Sequence, residues 1–99
     1  MYYTYLLRCK DGSLYVGITT DLSRRFREHQ SGIRGAKYTR SHPPLRMEAA
    51  WVLPDRAAAS RLEYALKRKS HAEKEAAICD GIPSYTVAEP ALLPKEETV

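Results

Sequence analysis

Two tyrosines near the start of the chain could take part in proton transfer if they face each other. Tyr5 and Tyr15 stand ten positions apart on either side of an Asp-Gly turn signal in TYLLRCKDGSLYVG, residues 4–17. A phenol hydroxyl both donates and accepts hydrogen bonds, so two of them on one face could do chemistry together. Cross-strand packing alone also accounts for such a pair. The turn decides between these interpretations, because it determines which side chains share a face.

The turn has two permitted lengths. A two-residue Asp-Gly turn would send Tyr5 and Tyr15 to opposite faces of a hairpin. A three-residue loop with Gly12 in the left-handed conformation would pair Tyr5 with Gly17 and Leu7 with Tyr15, so that both tyrosines point the same way. The sequence permits either turn.

The basic residues are concentrated in one part of the chain. Residues 24–46 contain seven Lys or Arg and one acidic residue, whereas residues 51–99 contain seven basic and eight acidic residues. Such a stretch suits a polyanion such as nucleic acid, although a solvated basic face accounts for it equally well.

The remaining pattern predicts the elements that would position these residues. Strands are expected at residues 2–8, 14–19 and 45–53, with Leu45, Met47, Ala49, Trp51 and Leu53 on one face of the third. Thr20 or Asp21 can cap a helix that ends at Gly32, with Arg25 and His29 on one edge of its buried face. Residues 33–44 form a loop with at most one helical turn. Asp55 and Ser70 begin two further helices.

The predicted fold is therefore α+β, with three strands in one sheet, helices packed on it, and the order β-β-α-β-α-α. We expect one domain at residues 1–81 and a loosely ordered C-terminal tail at residues 82–99, which contains three prolines. No stretch is apolar enough for a membrane span, the N-terminus lacks a signal-peptide pattern, and Cys9 and Cys79 suit reduced thiols, so a cytoplasmic protein is expected.

Taken together, Tyr5, Tyr15-Val16-Gly17, Arg25 and a glutamate on the helix after the third strand make this chain resemble the GIY-YIG nuclease superfamily. It is most similar in layout to the small stand-alone bacterial members, and GAKYTR at residues 35–40 looks like a segment of that subgroup. The resemblance also extends to the N-terminal nuclease domain of the bacterial excision-repair endonuclease. It implies a small three-stranded antiparallel sheet flanked by helices.

The resemblance also implies roles for particular residues. The signature tyrosines correspond to Tyr5 and Tyr15, the family arginine to Arg25 and the metal-binding glutamate to Glu63, while His29 matches a histidine of some members. Either tyrosine could activate water, Arg25 could bind the scissile phosphate, and Glu63 as the sole acidic ligand suits one Mg²⁺ ion. Gly17 would let the DNA backbone approach. The further residues expected to contact nucleic acid are Arg24, Arg27, Lys37, Tyr38, Arg40 and Lys67, with His42 as an additional candidate.

The function implied is a Mg²⁺-dependent DNA endonuclease, structure-selective because a separate DNA-reading module is missing, in DNA repair or recombination. Its partners would be DNA and either a second copy of the chain or a repair protein. The alternative is a nucleic-acid-binding module that cuts little or nothing by itself within a larger complex, and a weaker third idea is an interaction domain of a repair assembly. An acidic Glu63 in a positive cleft favours the enzyme, because it would repel phosphate unless a metal intervened.

Overall fold

The computed structural model describes residues 1–32 and 34–96. Within them the chain is α+β, and the sheet has the strand order β2-β1-β3-β4 with antiparallel neighbours. The elements in chain order are β1 (Tyr2–Cys9), β2 (Leu14–Thr19), α1 (Leu22–Ser31), α2 (Lys37–Ser41), β3 (Pro44–Leu53), α3 (Arg56–Lys67), α4 (His71–Asp80), β4 (Thr86–Val87) and a 3₁₀ turn (Pro90–Leu92). No helix of this described part is long and apolar enough to cross a membrane.

The β1–β2 hairpin has the three-residue loop. Tyr5 pairs with Gly17 and Leu7 with Tyr15, and Gly12 has a φ of 89°. The Asp11 carboxylate accepts hydrogen bonds from the backbone N–H and the hydroxyl of Ser13, at 3.0 and 2.6 Å. This side-chain turn stabilises the longer loop over a two-residue Asp-Gly turn. Both tyrosines therefore lie on the same face of the sheet.

The sheet is buried on both faces. On one face, Leu6, Val16 and Trp51 pack with residues of α3 and α4 such as Leu62 and Ala77. The other face carries a second cluster that includes Tyr5, Leu7 and Phe26, the last from α1. α1 and α3 thus lie on opposite faces, and both can reach the β2 edge of the sheet. This edge is where the candidate site lies.

Helix boundaries follow the capping signals of the sequence. Asp21 accepts a hydrogen bond from the Arg24 N–H and caps α1, which ends at the left-handed Gly32. Asp55 caps α3 in the same way. Ser70 and Glu73 form a reciprocal capping box at α4. The α1 cap places Arg25 and His29 on the side that faces the sheet.

Strand β3 departs from the predicted alternation. The register against β1 shifts between Leu6 and Leu7, so that Leu6 pairs with Ala49 and Leu7 with Met47. Glu48 is left as the extra residue of a bulge. Met47 therefore packs with the α1 face, whereas Ala49 and Trp51 pack with the α3 face. The prediction that all of them share one face is wrong, because a bulge reverses the alternation at that point.

The fourth strand comes from the segment that was expected to be a loosely ordered tail. Thr86 and Val87 pair with Val52 and Trp51 of β3, and the Ala88 N–H donates to the Ala50 carbonyl at 2.8 Å. Further along, Lys95 forms an isolated bridge with Arg46. The described part of the segment therefore extends the sheet from three strands to four, while the expectation for residues 97–99 lies outside the described residues.

Candidate active site

The Tyr5 side chain forms the buried centre of the site. It is 0% exposed, and its hydroxyl lies over Gly17 on the neighbouring strand. A Cβ atom at position 17 would lie 2.4 Å from the Tyr5 hydroxyl oxygen and 2.6 Å from the adjacent ring carbon. Gly17 is therefore required here because the Tyr5 ring occupies the space of a side chain. The resemblance implied instead that Gly17 leaves room for the DNA backbone, whereas the Tyr5 ring fills that space.

A continuous chain of hydrogen bonds runs from Tyr5 into the protein. The Tyr5 hydroxyl lies 2.7 Å from Nε2 of His29, and Nδ1 of His29 lies 2.8 Å from Oγ1 of Thr39. The Thr39 hydroxyl in turn donates to the Ala36 carbonyl at 3.0 Å. His29 is 1% exposed and Thr39 3% exposed. Thr39 was missed by sequence analysis, because a threonine in a loop-like segment has no signal that marks it as a histidine partner.

Aromatic rings extend from this centre toward α2. The centroid of the Tyr15 ring lies 6.5 Å from that of Tyr5 and 5.4 Å from that of His29. On its other side Tyr15 stacks with Tyr38 at 5.6 Å, and Tyr38 stacks with His42 at 3.9 Å. Tyr15, Tyr38 and His42 are all half-buried, in contrast to Tyr5. Tyr15 is thus the more accessible of the two signature tyrosines.

Arg25 contacts the same centre from α1. Its guanidinium donates to the Glu28 carboxylate at 3.0 Å and to the Arg34 carbonyl at 2.6 Å, and its positive charge lowers the pKa of the Tyr5 hydroxyl. These contacts hold the side chain at the surface of the site, 22% exposed. A phosphate oxygen arriving there would meet a guanidinium that the fold already positions.

Arg25 also lines a surface groove between α1 and the start of α3. The other basic residues of this groove are Arg24 and Arg56, and Thr20 and Glu28 also line it. Arg56, in the first turn of α3, was not among the residues expected to contact nucleic acid. Three arginine side chains therefore line one groove, where they can attract an anion.

Glu63 approaches from α3. It is half-buried, and its negative charge raises the pKa of Tyr5, which places the carboxylate within electrostatic range of that hydroxyl. Lys67 pairs with Glu63 at 3.3 Å, one helical turn away. Among the described residues no group of three or more His, Cys, Asp or Glu side chains could enclose a metal ion. A single partly exposed carboxylate is a donor set that fits Mg²⁺, which retains most of its waters, and does not fit Ca²⁺ or Zn²⁺.

The other residues expected to contact nucleic acid lie away from the cluster around the Tyr5 hydroxyl. Arg27, Lys37, Arg40 and Lys67 are exposed, and none of the four lines the groove beside Arg25. Lys37 and Arg40 belong to α2, the helix that also carries Tyr38 and Thr39. They add positive charge around the site without contacting its centre.

Burial shifts the protonation equilibria of two central groups. The pKa of Tyr5 is raised well above its ordinary value because burial disfavours the phenolate, an effect that Arg25 only partly offsets. The pKa of His29 falls from 6.5 to about 4, chiefly because of burial and secondarily because of the Arg25 charge. At neutral pH both groups are uncharged.

Comparison with known proteins gives consistent matches. A family model described as the GIY-YIG catalytic domain matches residues 1–76. The UPF0213 protein BH0048 of Halalkalibacterium halodurans is 50% identical over 74 residues, which cover 75% of this chain and 78% of the relative. A UPF0213 protein of Xanthomonas axonopodis pv. citri is 55% identical over 73 residues, covering 74% of this chain and 71% of the relative.

One solved structure agrees with the fold. The solution NMR structure of the UPF0213 protein BH0048 from Bacillus halodurans matches with a TM-score of 0.51 and 47% identity. The match covers 84% of this chain and 89% of the other.

Proposed function

This chain belongs to the GIY-YIG family, a nuclease family, and on that premise we propose that it is a Mg²⁺-dependent endonuclease that hydrolyses phosphodiester bonds in DNA. The observation that carries the proposal is the direct contact of Tyr5, Tyr15 and His29, with the charges of Arg25 and Glu63 both acting on the Tyr5 hydroxyl. A binding module would not need a carboxylate among these groups, because the carboxylate repels phosphate.

Glu63 would hold the metal ion, which when bound would neutralise charge on the phosphate oxygens and acidify water. Its present partner Lys67 is 53% exposed and can turn away without leaving a buried charge. Arg25 would bind the scissile phosphate from the other side of the site. The two positive charges at the phosphate would be those of Arg25 on α1 and of the metal ion held by Glu63 on α3. These helices lie on opposite faces of the sheet.

Tyr15 is the better candidate for the residue that orients and deprotonates water. Tyr5 is fully buried, its hydroxyl already bonds to His29, and its raised pKa makes it a poor base. Tyr15 is half-buried and contacts the same cluster through its ring. We assign Tyr5 to holding His29 and Arg25 in place, which leaves Tyr15 as the tyrosine that can reach solvent.

Cleavage of a DNA panel tests the function. Purified protein with Mg²⁺ is incubated with duplex, nicked, flapped and single-stranded DNA, and a preference for branched substrates would support a role in repair or recombination. Glu63→Gln is expected to lower the cleavage rate at least about 100-fold while DNA binding, measured by fluorescence anisotropy, persists. The matched control is Glu89→Gln, which removes the same charge from an exposed residue beside β4, at the opposite edge of the sheet.

Metal binding has its own measurement. Mn²⁺ added as a paramagnetic probe should broaden the NMR amide signals around Glu63, and Glu63→Gln should abolish the effect. Full cleavage by Glu63→Gln would contradict the metal assignment. Wild-type protein that binds DNA but never cuts it with any divalent ion would establish the binding module instead. Sedimentation with and without DNA tests the predicted homodimer.

A further inference from the structure

The hydrogen bonds around Thr39 have a defined direction. The Ala36 carbonyl can only accept, so the single hydroxyl proton of Thr39 is used in the 3.0 Å bond to it. Oγ1 of Thr39 must then accept in its 2.8 Å contact with Nδ1 of His29. Nδ1 therefore carries a hydrogen. Since burial keeps the ring neutral, with a pKa of about 4, Nε2 is left with a lone pair.

The direction continues to the centre of the site. Nε2 of His29 accepts from the Tyr5 hydroxyl at 2.7 Å, which uses the only proton of that hydroxyl. The Tyr5 oxygen then presents lone pairs alone to its other neighbour, the guanidinium of Arg25, which can only donate. Each bond thus fixes the next, and the first one in the series is made by Thr39.

We propose that Thr39 is a positioning residue for the nuclease reaction: its hydroxyl selects the Nδ1–H tautomer of His29, which turns the Tyr5 proton away from Arg25. This inference rests on the proposed function, because it assigns Thr39 a role in orienting the arginine that binds phosphate. Thr39 itself touches neither substrate nor metal.

The opposite tautomer would create two conflicts. A hydrogen on Nε2 would point at the Tyr5 oxygen and force the Tyr5 proton toward the guanidinium, where it has no acceptor. At the other end, Nδ1 would become an acceptor, and Thr39 would have to leave the Ala36 carbonyl in order to donate to it. The Nε2–H form would thus leave the buried Tyr5 hydroxyl without an acceptor and would cost the bond from the Thr39 hydroxyl to Ala36, and both losses favour the Nδ1–H form.

The segment GAKYTR, residues 35–40, places the Thr39 hydroxyl beside His29. A Cβ atom on Gly35 would lie 3.0 Å from the Glu28 carbonyl and 3.2 Å from Oγ1 of Thr39, so a larger residue would push the segment a few tenths of an ångström away from the end of α1. The first turn of α2 then closes on Ala36, whose carbonyl also accepts from the Thr39 N–H at 3.1 Å. α2 has five residues, and Thr39 is its buried one.

The test compares Thr39→Val, which removes the hydroxyl at nearly constant shape, with Thr39→Ser, which keeps it. Long-range ¹H–¹⁵N NMR of the full chain at about pH 7.5 reports the tautomer of His29 directly. Wild type and Thr39→Ser are expected to show the Nδ1–H form. Thr39→Val should show the Nε2–H form or a mixture, and a roughly 10-fold fall in kcat with a smaller change in KM for DNA, the size typical of losing a histidine's orienting partner in metal sites.

The outcomes separate the two proposals. An Nε2–H tautomer in wild type overturns the inference, and because this measurement needs no variant, it applies even if Thr39→Val fails to fold. A folded Thr39→Val that keeps both the tautomer and kcat also overturns it. If wild type shows the Nδ1–H tautomer but cleaves no DNA under any divalent ion, the proposed function fails while the hydrogen-bond direction stands.

Discussion

Replacing Gly17 with alanine should displace the Tyr5 ring and destabilise the protein. The added Cβ would lie 2.4 Å from the Tyr5 hydroxyl oxygen, whereas ordinary contacts begin near 3.4 Å, so the ring has to move by about 1 Å. Tyr5 is fully buried, so no solvent-facing space receives it. A shift of that size away from Gly17 strains the 2.7 Å bond to His29.

The energetic cost can be bounded. Overpacking a buried site costs about 1 to 3 kcal/mol, and weakening a buried hydrogen bond adds about 0.5 to 1.5 kcal/mol. In a strand interior without a clash, alanine would instead gain about 0.5 to 1 kcal/mol over glycine. The free energy of unfolding of Gly17→Ala should therefore fall by a net amount of about 0.5 to 4 kcal/mol, a loss whose sign is opposite to the intrinsic preference.

Urea unfolding of wild type, Gly17→Ala, Tyr5→Phe and the double variant measures this cost. Tyr5→Phe removes the closest atom, so the loss caused by alanine should be smaller in that background, by at least about 0.5 kcal/mol. The ring signals of His29 should shift in Gly17→Ala. If Gly17→Ala unfolds at the same urea concentration as wild type with unchanged His29 signals, the packing argument for Gly17 is refuted.

Two further predictions concern charge. The folded chain holds His29 neutral down to a pKa of about 4, while the unfolded chain protonates it near 6.5, so the unfolded state binds more protons in between. The free energy of unfolding should therefore fall by about 1.5 kcal/mol from pH 6.5 to about pH 5. Urea titrations across that range check it, and a slope that persists in His29→Gln would contradict the assignment. Arg25→Lys keeps the charge but loses the planar guanidinium, so kcat/KM for DNA cleavage should drop about 100-fold or more. The matched control is Arg61→Lys, which should cleave at the wild-type rate because Arg61 lies about 200° around α3 from Glu63.

Short-range signals were sufficient for much of this fold. Asp21, Asp55 and Ser70 begin helices where their side chains predict, because a cap is a contact between residues two or three apart. The turn after Cys9 was narrowed to two lengths, and the choice between them depends on the Asp11 bonds to Ser13. Local chemistry therefore predicted the shared face of Tyr5 and Tyr15 as one of two outcomes.

The features that sequence analysis missed depend on distant partners. Thr86 and Val87 form a strand only because β3 offers a free edge about 35 positions away, and their own proline-rich surroundings indicated a tail. Thr39 has a role only where α2 packs against α1. The family resemblance identified Arg25 and Glu63 as site residues. Helical periodicity alone would not have predicted that they lie near the same tyrosine.

Strand β3 uses ten residues to pair with the eight of β1, and the two without a partner are Leu45 and Glu48. Removing Glu48 would close the bulge and leave Met47 opposite Leu7 and Ala49 opposite Leu6, each on its present face. Elsewhere in a strand, losing one residue exchanges the two faces. β3 is therefore the place in this sheet where the chain can change length by one residue without rearranging either core.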